Sequence, residues 1–192
     1  RGLCKSKQTI KITDFGAGSH LNNSKTRKVK DVARNSAKNS KFGKLLYRII
    51  QFYKPKNILE LGTSLGVSTL YLGKAKENSK VYTFEGCPET AKIAQQNFNK
   101  MEAKNINITL GDFQNTLEKK LKEIKTIDLA FIDGNHQEKP TIAYFEECLK
   151  YTNNNTIFVF DDIHWSKGME NAWTHIKSHH KTTLTIDLFY IG

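Results

Sequence analysis

The sequence predicts an α/β domain, with a mainly parallel, doubly wound sheet flanked by helices. Three observations carry that expectation. Short apolar runs bounded by turn residues recur at 58–61, 80–84, 106–110, 127–132 and 156–160, with segments of helical character between them. The run at 127–132, IDLAFI, is apolar throughout, as a strand covered on both faces should be. The stretch 57–69, NILELGTSLGVST, takes an apolar strand through a glycine turn directly into a helix. Strands alternating with helices at this rhythm imply a parallel sheet with right-handed crossovers. In such sheets ligands sit beyond the carboxyl ends of the strands.

The chain in order supports each element. Residues 1–38 are polar and basic, with Gly16 and Gly18 in DFGAGS and a charged TRKVKD run at 26–31. They read as an arm set apart from a domain at 39–192. Phe42, Leu45, Leu46, Ile49, Ile50 and Tyr53 fall on one helical face, and Pro55 ends that helix. After the glycine turn a helix at about 67–77 precedes the second strand, which ends in Glu85. Pro88 suits a first helical position, and its helix runs to about residue 101. The strand at 106–110 ends in Gly111-Asp112, and that at 127–132 delivers Asp133, Gly134, Asn135 and His136. A helix at about 140–151 leads to the strand at 156–160, which delivers Asp161, Asp162, Ile163, His164 and Trp165. A last helix at about 166–180 and a sixth strand at 184–190 complete the expected series.

At 192 residues this is one domain with room for a real core. Thirty basic against 19 acidic residues give a formal charge of +11. Arginine stands only at Arg1, Arg27, Arg34 and Arg48, so lysine supplies the excess. Nucleic-acid sites favour the planar fork of arginine, and the charge is weak support for RNA binding. Cys4, Cys87 and Cys148 are scattered without C-x-x-C spacing, which points to a reduced, cytoplasmic protein. No apolar run approaches the ~18 residues of a membrane span, so no membrane partner is expected. The chain opens at Arg1 rather than methionine, and an N-terminus further upstream is expected.

Gly62 and Gly66 bracket the first turn, where a missing Cβ lets backbone amides approach a ligand. The spacing E-x-G-x-x-x-G-x-S is neither a dinucleotide fingerprint nor a P-loop. Glu60 would repel a pyrophosphate but suits a ligand carrying a cationic amine. Glu85 follows Gly62 at close to the ~20-residue interval that separates a glycine turn from a ribose-binding acid. The turn resembles the first motif of the class I S-adenosylmethionine-dependent methyltransferases, whose fold is Rossmann-like. That resemblance implies cofactor contacts from Glu60, Gly62, Thr63, Ser64, Gly66 and Ser68 in the turn. It also implies them from Glu85 at the ribose and from Gly111 and Asp112 at the adenine. Asp112 is equally suited to cap the helix that follows. A segment such as 1–38 then reads as a lid or as a surface arm. The family adds one more antiparallel strand than this chain contains, which implies a C-terminal truncation.

Glu60, Glu85, Asp112, Asp133 and Asp161 are all expected on the carboxyl edge of the sheet. Asp133, Asp161 and Asp162 come from strand ends that would be neighbours, and clustered carboxylates repel unless a cation or protons intervene. Oxygen ligands suit a hard cation such as Mg²⁺. The pattern D-x-x-F-I-D-G-x-H with a later F-D-D resembles the metal-dependent O-methyltransferases, the group of the catechol, caffeoyl-CoA and antibiotic-sugar enzymes. The resemblance spans roughly 41–165 and implies that Asp133, Asp161 and Asp162 hold the metal, with Asp133 also near the cofactor's amino group. Catechol-type relatives carry a lysine where this chain has His136. Histidine, with an unperturbed pKa near 6.5, is a reasonable base there. The rival role is ordering the loop or bonding Asp161, and His164 is the reserve base. Trp165 suits either stacking on a flat substrate or packing.

Three functions remain in view from sequence, besides a metal-independent enzyme in which Asp161 and Asp162 serve as substrate contacts or helix caps. The first is a Mg²⁺-assisted O-methyltransferase acting on a small hydroxylated molecule or sugar. The second is the same chemistry on transfer RNA, at a hydroxyuridine-type position. The third is a non-catalytic cofactor-binding module. The resemblance also implies a homodimer.

Overall fold

The computed structural model describes residues 2–13, 26–35 and 40–192. The DFGAGS segment with Gly16 and Gly18 lies outside them. Five parallel strands form the central sheet: β3 (Asn57–Leu61), β4 (Lys80–Glu85), β5 (Ile106–Leu110), β6 (Leu129–Ile132) and β7 (Ile157–Phe160). Their spatial order is β5-β4-β3-β6-β7. The order reverses between β3 and β6, and a crevice opens at such a reversal because the two crossovers leave in opposite directions.

Strand alternation sends side chains to two cores. Leu59, Leu61, Ala130, Ile132 and Phe160 face α5 (Phe113–Ile124), α6 (Glu138–Leu149) and α7 (Lys167–Ser178), meeting Leu121, Phe145, Cys148 and Trp173. Ile58, Val81, Leu129, Phe131 and Val159 face α2 (Ser40–Tyr53), α3 (Val67–Ala75) and α4 (Pro88–Lys100), meeting Leu46, Ile50, Leu72 and Phe98. Period-2 burial on both faces is why these runs read as continuously apolar. Pro88 occupies the first turn of α4 after Cys87, where its missing N–H costs nothing.

The basic arm has structure that its composition did not announce. β1 (Thr9–Lys11) pairs antiparallel with β2 (Thr26–Lys28), and α1 (Val29–Asn35) follows. Ile10, Val29, Val32 and Ala33 pack on Ile93 of α4 and on Leu65 of the glycine turn. The Thr13 amide donates to Cys87 Sγ at 3.4 Å, and that thiol donates to Lys11 O at 3.4 Å. The arm therefore lies beside the turn.

The sixth strand expected at 184–190 is absent. Leu184, Ile186, Leu188 and Tyr190 alternate as a strand would but are 80%, 62%, 49% and 56% exposed. Alternation does not make a strand without a neighbour for its N–H and C=O groups. The end of this segment meets the sheet through an antiparallel bridge between Asp161 and Ile191 and through paired backbone bonds between Phe160 and Gly192. No helix among the described residues is long and apolar enough to cross a membrane.

Candidate active site

The glycine turn leaves β3 at the point where the strand order reverses. Gly62 has φ +108°, and a Cβ there would stand 2.1 Å from the Asp133 carbonyl oxygen. The Gly62 and Thr63 amides both donate to Phe84 O, at 3.1 and 3.0 Å, which ties the turn to β4. Gly66 caps α3 with φ +78°. Thr63 and Ser68 are buried, and Thr63 Oγ1 hydrogen-bonds Thr83 Oγ1 at 2.5 Å, so these side chains brace the turn from inside.

Glu60 does not stand on the rim. Its register places it beside Thr83 of β4, and the residue is fully buried. Its Oε2 accepts from Thr83 at 2.6 Å and from Thr69 at 2.5 Å, while Oε1 is buried with no hydrogen-bond partner. Burial raises its pKa, and the bonds from Thr69, Thr83 and Ser68 oppose that shift. A carboxyl raised on folding costs stability as pH climbs past its ordinary value, because the folded state then holds more protons than the unfolded one. The hydroxyls limit that cost. Thr83→Val is expected to destabilise the fold by about 1–3 kcal/mol in urea melts. An unchanged midpoint would show that the hydroxyl does not support Glu60.

Glu85, at the end of β4, is half-buried and aimed by two backbone amides. Ser64 N donates to Oε2 at 2.7 Å and Cys87 N to Oε1 at 2.8 Å. Burial raises its pKa, with those same amides opposing. Gly111, at φ +134°, donates to Glu85 O at 2.9 Å. Asp112 caps α5, accepting from Gln114 N at 3.1 Å.

Across the crevice, the Asp133 amide donates to Leu61 O at 2.9 Å, and the Asp161 amide to Ile132 O at 3.0 Å. These ladder bonds put both aspartates at the mouth between β3, β6 and β7. Asn135 and His136 have φ +71° and +50°, a turn that folds His136 back to 3.7 Å from Asp133 Oδ1 through Nε2. Donor atoms of Asp133, His136 and Asp161 lie within 4.8 Å of one another.

Asp162 is not in that group. Asp162 turns at φ +54°, with its carbonyl taking the Trp165 amide at 3.0 Å. Two carboxylates and an imidazole fit a divalent cation, with the nitrogen widening the choice beyond Mg²⁺. His164, the reserve base, faces elsewhere, with Nε2 3.0 Å from Asp187 Oδ2 and Nδ1 3.7 Å from Glu170 Oε1.

Two features escaped the sequence. Tyr144 of α6 accepts from Asn135 Nδ2 at 3.2 Å, bracing the turn of His136. Trp165, 40% exposed, stands with its ring centroid 6.0 Å from that of His136. Local spacing carried no signal for either pair, since each joins segments that meet only on folding.

Comparison with known proteins identifies the domain. Residues 59–163 match the family described as "Methyltransferase domain". A catechol O-methyltransferase of Niastella koreensis is 32% identical over 124 residues, covering 63% of this chain and 55% of that protein. One of Mycobacterium tuberculosis is 28% identical over 130 residues, covering 67% and 56%. The chain thus spans about half the length of the curated relatives it matches. In fold it is similar to the O-methyltransferase from Bacillus cereus solved with SAH, at TM-score 0.68 and 23% identity, covering 76% of this chain and 72% of that one. The matched family model covers more than half of the sequence, from β3 to the loop after β7, and the chain belongs to the methyltransferase domain family.

Proposed function

We propose that this chain transfers a methyl group from S-adenosylmethionine to a hydroxyl of a small molecule or sugar, assisted by a divalent cation such as Mg²⁺. The observation that carries the reading is the Asp133, His136 and Asp161 cluster at the sheet's reversal point, directly across from the Gly62 turn. The similarity to catechol O-methyltransferases supports the hydroxyl acceptor.

The cofactor supplies a methyl group on a sulfonium, and the cation supplies charge that favours the deprotonated acceptor. The residues do the rest. Glu85, fixed by two amides, keeps lone pairs for the ribose hydroxyls. Gly111 and Asp112 border the adenine end. Asp133 and Asp161 would hold the cation, with Asp162 as a further candidate ligand from the same loop. His136 takes the acceptor's proton, and the imidazolium that results stands beside the Asp133 carboxylate, with Nε2 3.7 Å from Oδ1. Trp165 offers a flat face beside it for the acceptor.

Label transfer from methyl-labelled adenosylmethionine tests this, using a fractionated extract with Mg²⁺ and again with a chelator. Chelator-sensitive label in small molecules is the expected result. Label confined to RNA would overturn the acceptor class and give the lysine excess a role. Label unaffected by the chelator would remove the cation.

A further inference from the structure

Beyond the crevice lies a polar knot that the mechanism does not use. After α7 the chain returns toward β7 without forming a strand, and Asp187 anchors it. Asp187 Oδ2 accepts from Trp173 Nε1 at 3.0 Å and lies 3.0 Å from His164 Nε2, while Oδ1 accepts from Phe189 N at 2.8 Å. His164 stacks on Phe189 with ring centroids 5.4 Å apart. On the other side of the loop, Phe160 N donates to Gly192 O at 2.8 Å and Gly192 N to Phe160 O at 3.0 Å. Residues 187–192 therefore grip the 160–165 segment at both ends, by backbone at Phe160 and by side chain at His164.

That segment carries Asp161 at its start and Trp165 at its end, and it turns through a left-handed residue, Asp162. A loop with such a backbone keeps one course only when its surroundings over-determine it. Trp173 is 4% exposed and belongs to the core, so Asp187 links His164 to a fixed point.

We infer that Asp187 is a positioning residue, which through His164 holds the loop of Asp161 and Trp165 in register with Asp133 and His136. It touches neither substrate nor cation. The inference rests on the cation reading of Asp133 and Asp161.

The test uses Mn²⁺ as the probe, with its binding followed by electron paramagnetic resonance, and adenosylhomocysteine affinity by calorimetry. Asp187→Asn and His164→Ala are expected to weaken Mn²⁺ binding ~10-fold, the scale for losing an outer partner of a metal site. Both should leave adenosylhomocysteine affinity within about twofold of the parent, because the Gly62 turn and Glu85 lie on other strands. His164→Gln, whose amide nitrogen can still meet Asp187, should recover most of the Mn²⁺ affinity. Unchanged Mn²⁺ affinity in Asp187→Asn would overturn the inference, as would a parallel fall in adenosylhomocysteine affinity, which signals general damage. If the parent protein binds no Mn²⁺, the cation reading fails by itself. Hydrogen exchange then decides for Asp187: faster exchange of the Trp165 amide in Asp187→Asn supports the latch, and equal exchange removes it.

Discussion

Asp161→Asn should lower methyl transfer by ~10³-fold, the equivalent of the several kcal/mol a cation supplies at a developing oxyanion, while adenosylhomocysteine binding survives. Asp161 is 1% exposed, and its backbone amide, not its side chain, makes the ladder bond to Ile132. The amide variant keeps that bond and the side chain's shape but loses the charge that, with Asp133, would hold the proposed cation. The proposed cofactor contacts come from the Gly62 turn and Glu85, on β3 and β4, and are untouched. Transfer rate and adenosylhomocysteine affinity, measured on the same preparation, separate the two. Turnover equal to the parent would sink the role of Asp161 as a cation ligand. Equal loss of both quantities would mean that Asp161 supports the whole crevice.

The second large effect falls on Gly62. An alanine there would adopt φ +108° and drive its Cβ to 2.1 Å from the Asp133 carbonyl. That neighbour is backbone and cannot swing away, so either the turn or Asp133 must shift. A strained left-handed residue costs about 1–3 kcal/mol by itself, and the clash adds to it. Gly62→Ala should therefore lose ~3 kcal/mol of stability or more and weaken adenosylhomocysteine binding at least ~10-fold. Gly168→Ala is the control. It sits near the start of α7, and its added Cβ would meet nothing closer than 3.4 Å. Helix propensity predicts a gain of about 0.5–1 kcal/mol there. Matching melts for the two variants would show that the approach of Gly62 to Asp133 is not tight.

Much of this was legible in the sequence. The five strands and the helices between them followed from apolar runs, period-3.6 faces and punctuation such as Pro55 and Pro88. The glycine turn and the acids after four strand ends were equally local, because a strand's last residue is defined by the strand. The topology rule then put them along one edge without any contact being known.

What stayed hidden depends on what lies across from a residue. Glu60 looked like a rim acid, and only its register with Thr83 shows it facing inward between hydroxyls. Asp162 looked equivalent to Asp161, but the group whose ligand atoms lie close together is Asp133, Asp161 and His136, and Asp162 turns through a left-handed backbone beside it. His164 looked free to act as a base until the tail brought Asp187 to it. The run at 184–190 had a strand's alternation and no strand to pair with. Sequence determined the elements and the chemistry they carry, since both depend on near neighbours along the chain. Tertiary structure alone decided which side chains meet, because a one-residue change of register or one left-handed turn reverses the direction of a side chain without altering the local pattern.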